Sequence, residues 1–293
     1  MLTKELFHKK ITQGIRYLDG ATGSNLQRMG MPKGCCTEKW VLDHPSALLS
    51  LQQQYAAAGS QILYAPTFQA QPIALERVGL HDQTEAVNAQ LVALSRSAAP
   101  ECLIAGDLTT LAAFCESWNP DNFDLMLENY RRQIRGLIDG GADLLVAETL
   151  MYPLEAEAIL AAAELEGAGA VMYSFVMTAD ASLFSGQDAI SVLKDLQDAG
   201  AAAVGFNCVA ADMMTPYLVR KLVRDIRIPI LCKPNAGNPV INENGIAEYS
   251  MNPDDFAQTV LDCKRSGAAL LGGCCGTTPA HIAAAKAAIT NCA

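Results

Sequence analysis

Two adjacent cysteines stand in Gly272-Gly273-Cys274-Cys275-Gly276-Thr277-Thr278-Pro279, between an apolar run and a proline-led helical stretch. A third, Cys208, ends another apolar run in Gly205-Phe206-Asn207-Cys208. Three thiolates gathered at strand ends can hold a zinc ion and leave its fourth position open, which is the arrangement of a catalytic metal site rather than a structural one. The flanking glycines let backbone approach closely and aim side chains unusually. Spacing alone leaves other readings open: packed thiols in a tight turn, or a strained vicinal disulfide. The usual Cys-x-x-Cys zinc signature is absent.

Other polar residues fall beside apolar runs. Asp19 and Glu148 are either strand-end carboxylates that cap a turn or anchors for a cationic group such as an amino-acid ammonium. Asn235, in Pro234-Asn235-Ala236-Gly237, suits a turn; near a metal its amide oxygen is a labile fourth ligand. His8, His44, His81 and His281 lie away from the ends of the expected strands, and a surface or capping role is expected for each. Cys35 and Cys36 form a second adjacent pair without a matching third ligand and read as loop thiols.

The elements that must position these residues follow from hydrophobic period. Apolar, β-branched runs occur at 16–19, 61–64, 102–106, 143–147, 170–176, 202–206, 228–232 and 268–271. Helical periodicity falls between them, at 46–58, 82–97, 123–139, 154–166, 188–199, 213–224, 254–266 and 280–290. Asn252-Pro253 and Thr278-Pro279 each offer a cap followed by proline at the first helical position. Gly59, Gly140, Gly200 and Gly267 follow helical runs, where a left-handed residue is wanted. Strand–helix alternation implies a parallel sheet with right-handed crossovers, and eight repeats imply closure into a single-domain α/β (β/α)8 TIM barrel over residues 1–293. An open doubly wound sheet is disfavoured, because no Gly-x-Gly-x-x-Gly turn follows the first strand. In such barrels the active site lies at the C-terminal ends of the strands. There the runs end in Asp19-Gly20-Ala21-Thr22-Gly23, Thr67, Asp107, Glu148-Thr149, Asn207-Cys208, Asn235 and Cys274-Cys275, all on one face.

Composition bounds the partners. The 293 residues are 51% hydrophobic and 18% charged, enough for a large core. A net charge of −10 and a pI near 4.9 disfavour nucleic acid. No run reads as a membrane span or a signal peptide, so a soluble cytoplasmic protein is expected. Ten cysteines in a chain of this length are not a secreted disulfide framework.

Taken together, Gly-Phe-Asn-Cys208, Lys-Pro-Asn235-Ala-Gly and Gly-Gly-Cys274-Cys275-Gly-Thr-Thr-Pro-Ala-His-Ile resemble the zinc-dependent homocysteine S-methyltransferase family. The early Leu-Asp19-Gly-Ala-Thr-Gly and Ala-Glu148-Thr segments match as well, so the likeness runs from about Leu18 to Ile282. Within the family the chain is most similar to the homocysteine-binding module of cobalamin-dependent methionine synthases. The segment Thr67-Phe68-Gln69-Ala70 departs from the loop expected there.

The resemblance implies that Cys208, Cys274 and Cys275 bind Zn²⁺ and activate a homocysteine thiol. It implies that Asp19 and Glu148 hold the homocysteine ammonium and that amides around Gly20, Ala21, Thr22 and Gly23 receive its carboxylate. Thr67, Asn207 and Asn235 complete the expected site. In the resembled branch the methyl donor is methylcobalamin on a separate corrinoid protein or module. The residues two before the four histidines are Leu6, Leu42, Gly79 and Pro279, so no Asp-x-His-x-x-Gly corrinoid loop occurs and the chain cannot supply that lower ligand. Either it is part of a larger protein, or it meets a separate corrinoid protein, or it uses a small donor such as S-methylmethionine or betaine. From a different class, a phosphate-binding lyase or isomerase barrel, with Lys233 as the one strand-end lysine, or a non-catalytic zinc scaffold is the alternative.

Overall fold

The computed structural model describes residues 1–14, 16–112, 122–243 and 247–292. Seven parallel strands form one sheet in chain order: β1 (Ile62–Tyr64), β2 (Leu103–Leu108), β3 (Leu144–Leu150), β4 (Val171–Phe175), β5 (Ala203–Ala210), β6 (Ile230–Asn235) and β9 (Leu270–Leu271). Between the last two, β7 (Val240–Ile241) and β8 (Ala247–Glu248) make a small antiparallel pair. The eighth barrel position, expected as a strand over 16–19, is reduced to two parallel bridges: Tyr17 pairs with Leu271 and Leu18 with Ile62. Those bridges join the sheet's two edges and complete the curl of a TIM-barrel-like α/β fold. The run shrinks because Asp19 and Gly20 turn away at once to line the barrel's end.

Eight helices match the periodic stretches to within a few residues, Phe123–Asp139 without any shift. Asn252 caps its helix by accepting from Asp255 N at 2.9 Å. Gly140 departs from expectation: its φ is −72°, and the left-handed residue is Gly141 at +81°. Glycine is required at 140 for space, since a Cβ there would lie 2.7 Å from Ala89 Cα on the neighbouring helix.

Two apolar layers follow from the period of two along each strand. The outer layer packs between strands and helices. The inner one gathers Leu18, Ile62, Ala105, Leu144, Val146, Met172, Ala203, Leu231 and Leu270, with Phe7 from the N-terminal helix Lys4–Thr12 entering it. Continuing the inward parity upward brings Tyr64, Asp107, Glu148, Ser174, Asn207 and Lys233 to the strands' C-terminal end, a polar floor on an apolar plug. No described helix is long and apolar enough to cross a membrane.

Candidate active site and metal centre

The three cysteines converge. Cys208, Cys274 and Cys275 place their sulfurs within 4.8 Å of one another, the only such group of metal-ligating side chains among the described residues. Cys208 and Cys275 Sγ are 3.8 Å apart. Cys208 sits where the β5–β6 ladder breaks between Asn207 and Ala210, and its φ of +59° is left-handed. Thr149, at the break in the β3–β4 ladder, has φ +60°. Non-glycine residues in this region store about 1–3 kcal/mol each and persist only where neighbours hold them. Asn207 is that neighbour. Its Oδ1 accepts from Thr149 N at 2.8 Å and Ser174 Oγ at 3.0 Å, and its Nδ2 donates to Thr149 Oγ1 at 2.8 Å and Glu148 Oε2 at 3.4 Å.

Backbone bonds aim the double-cysteine turn. Cys274 N donates to Pro234 O at 2.8 Å, Ala236 N to Cys275 O at 2.9 Å and Gly273 N to Asp19 O at 2.9 Å. Thr277 Oγ1 donates to Cys274 O at 2.7 Å and accepts from Ala21 N at 3.1 Å. Gly276 has φ +80°, and the Tyr249 ring packs so close that a Cβ there would come within 2.3 Å of it. The Tyr249 hydroxyl helps to lower the Cys275 pKa. Behind the turn, the helix Pro279–Asn291 starts at Thr278, whose N–H donates to His281 Nδ1 at 3.2 Å, while His281 Nε2 lies 3.0 Å from Met251 O. The capping role expected for His281 is thus met by its neutral ring.

The donor set fits zinc. Soft thiolates select such ions, and the thiols already share protons unequally. Hydrogen bonds from Cys208 and Cys274 lower Cys275, whereas the same contacts and burial raise Cys208. Cys274 is also raised: Cys275 and burial outweigh the bond from Cys208. Buried Asn235 adds an amide oxygen with no hydrogen-bond partner, at the end of β6, where Pro234 O accepts from Cys274 N.

Beside the cysteines lies a cavity of about 270 Å³. Gly20, Ala21, Thr22, Gly23, Glu148 and all three cysteines line it, as expected of a common site, together with Tyr64, Asp107, Thr149 and Lys233. Four expected residues stand behind this wall instead. Asp19, Asn207 and Asn235 are buried beneath the lining, and the fully buried Thr67 spends its hydroxyl between Asp107 O, at 2.9 Å, and Asp107 N, at 3.0 Å. Ala21 N is engaged by Thr277, which leaves the neighbouring amides for an anion. Cys36 donates to Glu38 at 3.3 Å, so the second pair has its own local partner.

Lys233 changes the electrostatics. Its Nζ lies 3.0 Å from Asp19 Oδ1, 3.7 Å from Glu148 Oε2 and 3.4 Å from the Tyr64 ring centroid. Burial opposes its charge, but Asp19 and Glu148 outweigh that and push its pKa up. Burial pushes Glu148 up to about 7, with Cys274 and Asp19 adding to it against Lys233. The sequence reading named Asp107 only as a strand-end residue, gave Tyr64 and Tyr249 no role and treated Lys233 only as an alternative. Inward parity along β1, β2 and β6 is the signal that finds Tyr64, Asp107 and Lys233.

Comparison with known proteins follows this geometry. The family model for homocysteine S-methyltransferase matches residues 17–289. A methionine synthase of Mycobacterium tuberculosis is 27% identical over 96% of this chain and 25% of its own length, so the chain spans about a quarter of the curated relatives it matches. The metallated homocysteine methyltransferase MmuM of Escherichia coli superposes with a TM-score of 0.82 at 26% identity, over 96% of this chain and 99% of that one. Its apo form gives 0.73 over 94% and 95%. With the matched span covering the whole barrel and its cysteine cluster, the chain belongs to the homocysteine S-methyltransferase family.

Proposed function

We propose that this barrel is a zinc-dependent S-methyltransferase that methylates the thiol of homocysteine to give methionine. The observation that carries the reading is the convergence of Cys208, Cys274 and Cys275 at the wall of a cavity sized for a small amino acid. These three thiolates would hold zinc. When bound, zinc supplies the Lewis acidity that turns a neighbouring substrate thiol, ordinarily near pKa ~8.5, into a nucleophile at neutral pH. The chain's own residues orient that nucleophile. Glu148 faces the substrate's ammonium end, and Thr22 and Gly23 border the place for its carboxylate. Holding the sulfur in line with the methyl carbon is the entropic part of catalysis. The sulfur's lone pair forms the new S–CH₃ bond as the donor–CH₃ bond breaks, and the donor leaves with that electron pair.

For the donor we infer methylcobalamin on a corrinoid protein or module, on the strength of the methionine synthase likeness. Cys208 also borders a second cavity of about 420 Å³, lined in part by Val176, Met177, Phe184 and Met214. Phe184 is 72% exposed. This largely apolar approach, which shares only Cys208 with the first cavity, suits a large donor. The near-complete match to a homocysteine methyltransferase of this length supports a second reading, a small donor such as S-methylmethionine or betaine.

Two measurements test the proposal. Zinc analysis under reducing conditions should find about one ion per chain, lost in Cys274→Ala; a zinc-free wild type sinks it. Methionine formation from homocysteine, run in parallel with methylcobalamin, S-methylmethionine and betaine, then selects the donor, and failure with all three reduces the barrel to a zinc-binding scaffold.

A further inference from the structure

The adjacent pair Cys35 and Cys36 lies outside the metal cluster, and Cys36 is tied to a buried acid. It directly precedes the helix Thr37–Asp43, and its Sγ donates to Glu38 Oε2 at 3.3 Å. Glu38 is 0% exposed, and its Oε1 accepts from Gln69 N at 2.7 Å. One buried carboxylate therefore joins the start of that helix to the loop after β1. Other side chains hold the carbonyls of this loop. Gln133 Nε2 donates to Thr67 O at 2.7 Å, Gln71 Nε2 to Phe68 O at 3.2 Å and Asn88 Nδ2 to Ala70 O at 2.9 Å.

Both joined segments line the acceptor cavity, Thr37 and Glu38 from one and Pro66, Phe68 and Gln69 from the other. Thr37 and Gln69 also line a separate cavity of about 670 Å³, as do Cys35 and Cys36. The Glu38–Gln69 bond thus lies in the partition between the two. Cys36 suits the part of a fixed donor rather than a redox thiol. Burial and the Glu38 carboxylate push its pKa up to about 11, and thiols react with oxidants and electrophiles as thiolates. With both oxygens engaged by the chain, Glu38 holds the wall and leaves the substrate's charges to other groups.

We propose that Glu38 is a positioning residue for the acceptor: it clamps the Phe68–Gln69 edge of the cavity to the helix Thr37–Asp43, and the Cys36 S–H locks the clamp. The proposal rests on the homocysteine reading above. A carboxylate that accepts from a backbone N–H makes one of the stronger hydrogen bonds. A shift of about 1 Å in such a wall is enough to loosen the hold on a small substrate.

The test is calorimetric binding of L-homocysteine to the zinc-loaded protein, with no methyl donor present and with zinc affinity measured beside it by chelator competition. Glu38→Ala should weaken homocysteine about tenfold and Cys36→Ala about threefold, the scale of one charged and one weak hydrogen bond, with zinc affinity within about twofold of wild type in both. Cys36→Ser, which keeps a donor, should regain wild-type affinity. With a working methyl donor, the loss in Cys36→Ala should fall on KM and spare kcat. Three results overturn the assignment while leaving the methyltransferase reading intact: unchanged homocysteine affinity in either alanine variant, Cys36→Ser no better than Cys36→Ala, or zinc affinity falling in step with homocysteine. The two Cys36 variants decide the matter even if Glu38→Ala does not fold. If wild type binds no homocysteine, that reading fails and the clamp falls with it.

Discussion

The side-chain amide of Asn207 closes on Thr149 from two directions, accepting from its backbone N–H and donating to its hydroxyl, each at 2.8 Å. One amide thereby holds Thr149 left-handed and braces the strand end that carries Cys208. Asn207→Ala strips the partners from several buried groups and should cost about 2–4 kcal/mol in urea unfolding. Zinc affinity should fall about 10–100-fold, as for loss of a residue that orients ligands. Chelator competition measures the second effect, and unchanged affinity would remove Asn207 from the metal's support.

Lys233→Met should destabilise the protein by about 3–5 kcal/mol, because it leaves buried carboxylates without their cation. Adding Asp19→Asn to Lys233→Met should recover part of that loss. A double variant no more stable than the single one would show that the pair does not act as a unit.

His281 gives a pH dependence of known sign. Burial lowers its pKa in the folded protein. The unfolded chain therefore takes up the proton at a higher pH, near ~6.5. Its contribution is complete above that value and is lost as pH falls below it through the folded value, by about 1.4 kcal/mol for each unit between the two. Protonation also puts a hydrogen on Nδ1, against the Thr278 N–H. His281→Gln retains a capping acceptor and should flatten stability between pH 7 and pH 5. A slope that survives the substitution belongs to other groups.

Phe184→Ala combined with Met214→Ala should raise the KM for the methyl donor about 5–10-fold, the usual cost of truncating an apolar anchor. Calorimetric homocysteine binding should not change. An equal loss for both ligands would show that the second cavity is not a separate donor approach.

Much of the fold was legible because it rests on periods. The apolar runs at 61–64 and 143–147, and the helix Phe123–Asp139, carry burial patterns that nothing local opposes. The first strand was overcounted because two bridging residues look the same in sequence as four. The pair Val240–Ile241 and Ala247–Glu248 was missed because both pieces are exposed and carry no burial pattern. The cysteines were legible as a group because glycines frame them. Lys233 was underweighted because its role depends on where Asp19, Glu148 and Tyr64 lie across the barrel. Asp107 was visible as a strand-end acid, but that its Oδ1 lacks a hydrogen-bond partner is a property of the folded wall.

The single bridge from Tyr17 to Leu271 leaves a seam through the site. On one side stand Asp19 and Gly20, and on the other the turn from Gly273 to Cys275. Few backbone bonds join them: Leu18 N to Leu271 O and Leu271 N to Arg16 O, both at 2.8 Å, and Gly273 N to Asp19 O. Local opening of a protein starts where such bonds are fewest. A substrate with its sulfur at the cysteines and its carboxylate beside Gly23 spans this seam as a staple. Occupancy should then be readable far from any chemistry, as slowed hydrogen exchange at the amides of Leu18 and Leu271.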